Sequence, residues 1–418
     1  MLALNDSPSE RRGGSRESAD GVGKQMSTIE KLIRAEERRQ FSKINLIASE
    51  NLSSQAVMDA MGSCLTNKYA EGYPNARYYG GCEVVDEIEN HAIALAKKLF
   101  NAEHANVQPH CGSAANMGAY MACLKPGDTI LAMHLDAGGH LTHGAKVSFS
   151  GVIYNCVHYG LDENGVLDYA QIEKLAKQHK PKMIVTGGSA YSLIIDFDRI
   201  AKIAKEVGAV FTVDMAHFAG LVAAGLHPNP CDFADIVTST THKTLRGPRG
   251  GLIVCKSEHA KAIDKAMFPG IQGGPLLNVI AAKAVCFEEA LHPGFKKYQQ
   301  DVIDNTRYLC EGLKEAGLKI VSGGTETHVF LIDLTDNKKS GREVQDELAK
   351  HNIVVNKNKI FSDKRSAVET SGIRIGLPFI TNFKKVNKNA LDELCDILVA
   401  VVKDTPVPQA KILNKIFR

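Results

Sequence analysis

Several features that mark common protein classes are missing from this sequence. No apolar run approaches the roughly 20 residues that a membrane-spanning helix needs, so the sequence predicts no membrane span. The 50 basic and 47 acidic residues give a net charge of +3, and this balance indicates neither a nucleic acid nor a membrane surface as a partner. The 10 cysteines include no C-x-x-C pair, which excludes zinc-ribbon and thioredoxin-type motifs. We therefore expect free thiols in a reducing, cytoplasmic compartment.

Residues 1–25 differ in composition from the rest of the chain. They are rich in Ser, Arg, Gly and Asp, and they lack the apolar middle of a signal peptide. We expect a disordered tail at residues 1–25, with folded sequence from Met26 onward.

Short apolar runs alternate with helical segments through most of the remaining chain. The predicted strands are 105–108, 129–133, 183–186, 210–213, 236–238 and 252–255, and the predicted helices are 28–41, 88–100, 114–124, 172–178, 200–207, 280–291 and 300–316. This alternation predicts an α/β fold, with a mostly parallel sheet covered by helices in a large domain at residues 26–292. Strands at 329–334, 353–355 and 373–375 and helices at 342–350 and 390–402 predict a smaller C-terminal α+β domain at residues 293–418.

Residues 238–250 carry Lys243 beside His242 in a hydroxyl-rich stretch that follows a predicted strand. A lysine buried among apolar and small residues loses its charge, and its neutral amine can form a Schiff base with an aldehyde. The hydroxyl groups and glycines around it are typical of an anion-binding loop. The alternative is a solvated loop lysine.

Asp214 ends another predicted strand. In open α/β sheets the carboxyl ends of the strands border the ligand crevice, and Lys243 follows the next strand of the same sheet. A carboxylate there can hold the protonated ring nitrogen of pyridoxal phosphate. A helix N-cap is the alternative role for this aspartate.

Two further segments suggest ligand chemistry. Residues 108–116 join a strand to a helix through small residues, a geometry that binds phosphate at a helix N-terminus or forms an ordinary capped loop. The chain has neither a Walker loop nor a G-x-G-x-x-G pattern, which counts against nucleotides. His134, Asp136, His140 and His143 have the residue types of a metal site, although structural roles are the alternative.

Five separated motifs together resemble serine hydroxymethyltransferase, from about Thr28 to the C-terminus. They are NLIASEN (45–51), YAEGYP (69–74), RYYGGC (77–82), VDMAH (213–217) and TTHKTLRGPRGG (240–251). The resemblance implies the aspartate-aminotransferase type of fold and a homodimer or tetramer with shared active sites. It also implies pyridoxal 5′-phosphate as cofactor, transfer of a one-carbon unit between serine and tetrahydrofolate with glycine as product, and no metal.

The resemblance also assigns site residues. Lys243 matches the Schiff-base lysine, Asp214 the partner of the pyridine nitrogen, His140 the residue stacked on the ring, and Glu71 the carboxylate that handles protons. Other cofactor contacts are matched by Ser113, Ala114, Ser189, His217, His242, Tyr69, Gly273 and Gly274. The substrate carboxylate is matched by Ser49, Tyr79 and Arg374, and the folate pocket by Leu135, Gly139, Leu141, Asn358, Ser366, Ala367 and Val368. Cys111, Ala114, Leu377 and the stretch Ser366–Val368 on the folate side depart from the residues that the family pattern leads us to expect.

Three competing hypotheses follow from the same residues. An aldolase that cleaves β-hydroxy amino acids would keep the cofactor and dispense with folate. A metal-dependent hydrolase would use the histidine-rich segment at 134–143. A non-catalytic relative would have no use for Lys243, Asp214, Glu71 and Arg374, all of which are present.

Overall fold

The computed structural model describes residues 26–411 and Ile416. The tail predicted at residues 1–25 lies outside the described residues. The described residues divide between Ser42 and Lys43 into two units. In the first unit, helix α1 (Thr28–Gln40) begins with a capping box, in which the Ser27 hydroxyl accepts from the Glu30 amide and the Glu30 carboxylate accepts from the Ser27 amide.

The second unit contains the sheet and helices that the sequence predicts. Its described helices are α2 (Gln55–Met61), α3 (Glu83–Phe100), α4 (Gly112–Cys123), α5 (Phe149–Ile153), α6 (Tyr169–His179), α7 (Phe197–Val207), α8 (Ala219–Ala223), α9 (Ala260–Lys265), α10 (Leu277–Ala290), α11 (Pro293–Glu315), α12 (Gly341–Lys350) and α13 (Lys388–Lys403). Its described strands are β1 (Ile44–Asn45), β2 (Gly72–Tyr73), β3 (Ala76–Arg77), β4 (His104–Asn106), β5 (Thr129–Met133), β6 (Asn155–Tyr159), β7 (Met183–Gly187), β8 (Val210–Asp214), β9 (Ile236–Thr240), β10 (Gly251–Cys255), β11 (Val329–Asp333), β12 (Ile353–Val354), β13 (Asn356–Asn358) and β14 (Gly372–Gly376). None of the helices described is long and apolar enough to cross a membrane.

A seven-stranded sheet forms the largest layer, in the order β4-β10-β9-β8-β7-β5-β6. The strands from β9 through β6 pair in parallel, whereas β10 is antiparallel to both of its neighbours. Only residues 241–250 connect β9 to β10, a connection that contains no helix and therefore suits an antiparallel pair. The predicted α/β fold with a mostly parallel sheet is confirmed.

The register of this sheet brings three strand ends together. Asp214 at the end of β8 lies opposite Gly187 of β7 and Thr238 of β9. The segments that leave these strands carry Ser189, His217 and Lys243. Their side chains therefore start from one edge of the sheet, where ligands of open α/β sheets bind.

A second sheet carries Arg374. It has the order β11-β14-β13 with antiparallel pairing, and Arg374 lies on the central strand β14. A separate cluster of buried apolar side chains packs around it and draws on α11, α12 and α13, whereas another cluster packs against the large sheet. The domain boundary near residue 293 stays a prediction.

Candidate active site

Lys243 lies in the loop that follows β9, and only 8% of its surface is exposed to solvent. The Asn51 side chain donates to the Lys243 carbonyl at 2.9 Å, and the Thr244 hydroxyl donates to the His217 carbonyl at 2.7 Å. The first bond ties the loop to the segment that follows β1, and the second ties it to the segment that follows β8. Burial lowers the pKa of Lys243 to about 8, although the nearby Asp214 carboxylate acts in the opposite direction. At pH 7 roughly a tenth of this amine is therefore uncharged and nucleophilic, far more than for an exposed lysine.

Asp214 is a largely enclosed carboxylate, with 11% of its side chain exposed, that is held by directed donors. Its Oδ2 accepts from Asn116 Nδ2 at 2.9 Å and contacts His143 Nε2 at 3.3 Å, and its Oδ1 accepts from the Ala216 amide at 3.0 Å. Burial alone would raise the pKa of Asp214, but the hydrogen bond from His143 and the charge of Lys243 outweigh burial and hold it below its usual range. Helix α8 begins at Ala219, so Asp214 is not its N-cap. An anionic carboxylate at this strand end suits a cationic ring nitrogen.

The histidines that follow β5 support this carboxylate. His143 Nδ1 accepts from the His140 amide at 3.1 Å, so Nε2 carries the proton that is donated to Asp214. His140 Nδ1 lies 2.7 Å from the Thr142 hydroxyl, and burial lowers the pKa of His140 to about 4. His140 is therefore a neutral, oriented ring near Asp214, as a residue that stacks on a cofactor ring requires.

The predicted metal ligands do not converge. His134 Nδ1 accepts from the Asp136 amide, the Asp136 carboxylate pairs with Lys359 at 3.0 Å, and His143 is bonded to Asp214. Among residues 26–411, the group of possible metal ligands with closely spaced atoms is a different one, made of Asp235, Glu258 and His259. The metal-hydrolase hypothesis therefore loses its geometric basis.

The segment that connects β4 to α4, together with the first turn of α4, has the features of a phosphate site. Cys111 precedes the helix without making a side-chain capping bond, so the first amides of α4, at Gly112, Ser113 and Ala114, remain available to an anion. A Cβ on Gly112 would lie 2.6 Å from the Thr240 methyl group, so the segment packs closely against the end of β9. His242 Nδ1 is buried and has no hydrogen-bond partner among the described residues. Such an unpartnered group beside Lys243 fits a site that is completed by a polar ligand.

Arg374 approaches Lys243 from the second sheet. Its Nη1 donates to the Ser189 carbonyl at 2.8 Å and its Nε to Asn356 Oδ1 at 3.1 Å. Burial lowers the pKa of Arg374 to about 10, so the guanidinium stays charged at neutral pH. It forms no ion pair with any carboxylate in the described part of the chain, which leaves it able to take a substrate carboxylate.

His217 completes the group. Its ring stacks on His328 with centroids 5.5 Å apart, and its Nδ1 lies 3.3 Å from His328 Nε2. Burial and the charges of Lys243 and Arg374 hold the pKa of His217 well below its ordinary value. We call Lys243, Asp214, His140, His217 and Arg374 the lysine cluster.

A second group of predicted residues meets elsewhere on the chain. Tyr69 Oη lies 3.4 Å from Glu71 Oε1, and the Tyr69 and Tyr79 rings are 5.0 Å apart. A Cβ on Gly273 would lie 3.0 Å from Glu71 Oε1, and one on Gly274 would lie 3.0 Å from the Tyr69 ring. Tyr69 and Tyr79 are 53% and 46% exposed, so this surface is open to a partner. We call Tyr69, Glu71, Tyr79, Gly273 and Gly274 the tyrosine cluster.

Within one chain the two clusters are not joined. No hydrogen bond, ion pair or ring contact of the described residues links Tyr69 or Glu71 to Lys243 or Asp214. The predicted site residues therefore fall into two groups that no hydrogen bond, ion pair or ring contact of the described residues joins.

The residues predicted for folate lie on two segments that an ion pair connects. Lys359, next to Asn358, pairs with Asp136, next to Leu135. Leu135 and Leu141 are 40% and 45% exposed, and Val368 is 58% exposed. A Cβ on Gly139 would lie 2.4 Å from the Met133 carbonyl oxygen, so only glycine fits there. Ser366 and Ala367 precede Val368 on a turn.

Ser49, which the sequence predicts as a contact of the substrate carboxylate, is half-buried.

Sequence reasoning missed several residues that hold the site. Asn116 and Asn51 orient Asp214 and Lys243, and His328 stacks on His217. Both asparagines lie in segments that the sequence analysis identified, but a single sequence does not show which side chains of such a segment make hydrogen bonds to the site. His143 belongs to the predicted histidine cluster, and its ring bonds Asp214.

Known proteins match this chain over most of its length. The family profile of serine hydroxymethyltransferase matches residues 22–398. A serine hydroxymethyltransferase of Coprothermobacter proteolyticus is 58% identical over 371 residues, which cover 88% of each chain. Those of Bordetella avium and Thiobacillus denitrificans are 58% and 56% identical, and each match covers 91% of both chains. The chain therefore belongs to the serine hydroxymethyltransferase family.

Proposed function

We propose that the lysine cluster holds pyridoxal 5′-phosphate and serine, and that the tyrosine cluster completes the same site in a partner subunit. As a family member the chain is a pyridoxal-phosphate-dependent one-carbon transferase that interconverts serine and glycine with tetrahydrofolate as co-substrate. One observation carries the residue assignment: a buried lysine of lowered pKa lies near an anionic, largely enclosed aspartate, at the ends of adjacent strands.

The residues present fit the cofactor at each of its polar points. Lys243 would attach it through the amine, Asp214 would hold its ring nitrogen, and His140 would cover its ring. The amides at Ser113 and Ala114 would take the phosphate, with Ser189, His217 and His242 beside them and Tyr69, Gly273 and Gly274 from the partner subunit. When bound, the cofactor supplies an electron sink that weakens the bonds at the substrate α-carbon.

The protein's own groups then act on the substrate. Arg374, with Ser49 and Tyr79, binds the carboxylate of serine and so fixes its orientation. The Glu71 carboxylate takes the proton from the serine hydroxyl as the hydroxymethyl group leaves, and returns a proton when the reaction runs toward serine. Tetrahydrofolate lies along Leu135, Gly139, Leu141, Asn358, Ser366, Ala367 and Val368.

We also infer that the chain works as a homodimer in the cytoplasm. The separation of the two clusters within one chain supports a shared site, because an isologous dimer can bring each subunit's tyrosine cluster to its partner's lysine cluster. All 10 cysteines are free thiols, which supports a reducing compartment. The balanced charge supports partners that are small molecules and neither nucleic acid nor membrane.

Capture of the cofactor by the apoprotein should depend on pH in a defined direction. Lys243 attacks an aldehyde only as the neutral amine, and its pKa is lowered to about 8. The rate of attachment, followed by absorbance after pyridoxal phosphate is added, should rise with pH below about pH 8 and level off above it. A rate that keeps rising toward about pH 10, the range of an exposed lysine, would contradict this assignment.

Replacing Arg374 by lysine should raise the KM for serine about 10- to 100-fold with a smaller change in kcat. One ammonium group cannot reproduce a two-point contact with a carboxylate, and a lost charge-assisted bond costs about 1.5–3 kcal/mol. Steady-state kinetics measures both constants, and Arg342→Lys, at an exposed ion pair with Glu369, is the matched control. An unchanged KM would show that another residue binds the carboxylate.

A further inference from the structure

Lys283 is a fully buried lysine that takes no part in the proposed mechanism. It lies on α10 and is 1% exposed. Its ammonium or amine nitrogen donates to the Val107 carbonyl at 2.6 Å and to the Pro109 carbonyl at 3.0 Å. No carboxylate of the described residues lies within ion-pair distance of it. Burying a lysine without a counterion is costly. The presence of Lys283 at this position therefore needs an explanation.

Both acceptors belong to the segment that leads into the predicted phosphate site. Val107 and Pro109 lie between β4 and α4, just before Gly112 and Ser113. From another direction Gln272 holds the same segment, since its Nε2 donates to the Gln108 carbonyl and its Oε1 accepts from the His110 amide, both at 2.9 Å. The path of the segment is therefore set by side-chain bonds to Lys283 and Gln272.

Lys283 also contacts the loop that carries Lys243. A Cβ on Gly250 would lie 2.5 Å from Lys283 Cε, so the loop passes directly over the lysine stem. The Pro109 carbonyl accepts from the Gly251 amide at 3.0 Å as well as from Lys283. The lysine nitrogen thus lies where the phosphate segment and the Lys243 loop meet.

The chemistry of the buried amine matches this place. Burial lowers the pKa of Lys283 to about 7, with the Glu89 carboxylate acting in the opposite direction. An uncharged amine keeps two N–H donors, which equals the number of carbonyls it bonds. A methionine would fill similar space without burying a polar group, but it would leave the Val107 carbonyl without this donor.

We propose that Lys283 is a positioning residue of the cofactor site, which holds the phosphate-binding segment against the Lys243 loop through the Val107 and Pro109 carbonyls. The inference rests on the proposed role of residues 112–114 in binding the cofactor phosphate. Pro109 keeps its bond from Gly251 when Lys283 is replaced, whereas Val107 loses its donor. The phosphate end of the site should therefore be disturbed more than the lysine end.

The test compares pyridoxal phosphate with pyridoxal, which lacks the phosphate. Dissociation constants of both are measured on apoprotein of the wild type, Lys283→Met and Lys283→Gln by absorbance titration. Lys296→Met, which removes an exposed lysine from α11, is the control. Lys283→Met should bind pyridoxal phosphate about 10- to 100-fold more weakly and pyridoxal less than about threefold more weakly. Lys283→Gln, which keeps N–H donors, should show a smaller loss with the same selectivity for the phosphate.

Two outcomes would contradict the proposed role of Lys283, and a third would contradict the phosphate site at residues 112–114. Equal weakening of both ligands would mean that Lys283 only stabilises the fold, and unchanged binding of both would mean that it has no role in the site. Either result overturns the proposal. A wild-type protein that fails to distinguish pyridoxal phosphate from pyridoxal would instead contradict the phosphate site itself.

Discussion

Replacing Lys243 by alanine should abolish serine cleavage, with a fall in kcat of at least about 1,000-fold. The amine that attaches the cofactor is removed, whereas Asp214, His140 and the amides of residues 112–114 remain to bind it. The variant should therefore still bind pyridoxal phosphate, but reversibly, so that dialysis removes it. Turnover is measured by glycine formation, and retained cofactor by absorbance before and after dialysis.

The fold of this variant should survive. Lys243 is buried with a pKa lowered to about 8, so its removal takes away a group that is unfavourable to bury. Lys261→Ala, at an exposed position on α9, is the matched control. Rapid serine cleavage by Lys243→Ala would show that another residue attaches the cofactor.

Mixing two inactive variants should restore activity. Glu71→Gln removes proton transfer and keeps the shape of the side chain, so turnover should fall about 100- to 10,000-fold. Lys243→Ala should be inactive because it lacks the amine that attaches the cofactor. If Glu71 serves the site of the partner subunit, a hybrid dimer has one site with both changes and one with neither. Random pairing makes about half of the dimers hybrid, so about a quarter of all sites should be intact.

The experiment needs proof that hybrids form. Different affinity tags on the two variants allow the hybrid dimer to be isolated after co-refolding, and its activity is then compared with each parent dimer. An isolated hybrid as inactive as its parents would show that Glu71 and Lys243 act within one chain. That result would contradict the shared site even though the tyrosine cluster makes no described contact with Lys243.

The fold could be predicted to a large extent because buried strands and amphipathic helices leave strong patterns. The predicted strand 129–133 coincides with β5, and the predicted helix 172–178 forms the middle of α6. The N-terminal end of α6 was missed because Asp168 caps it through its side chain, which apolar spacing does not reveal. The edge strand β6 was missed because Asn155 and His158 interrupt its apolar pattern, and α2 is only seven residues long.

The candidate site could be predicted only in part. The motifs around Lys243 and Asp214 named the reactive groups, and the parallel register of β8 and β9 explains why these groups meet. Side chains that support the site through contacts distant in sequence belong to no motif and were not predicted. Lys283 stands in an ordinary apolar helix pattern, and its hydrogen bonds reach back more than 170 residues along the chain to Val107 and Pro109. Contacts of that kind depend on the tertiary fold and not on local spacing.

Serine cleavage by the purified protein, measured with and without tetrahydrofolate, tests the central claim most directly. If the chain transfers the hydroxymethyl group of serine to folate, glycine and methylenetetrahydrofolate should form in equal amounts, and cleavage should be slow without folate. Arg374→Lys should lower this folate-dependent rate at limiting serine. Equally fast cleavage of serine or threonine in the absence of folate would show that the chain is an aldolase that uses the same lysine, and would contradict a folate-dependent transfer.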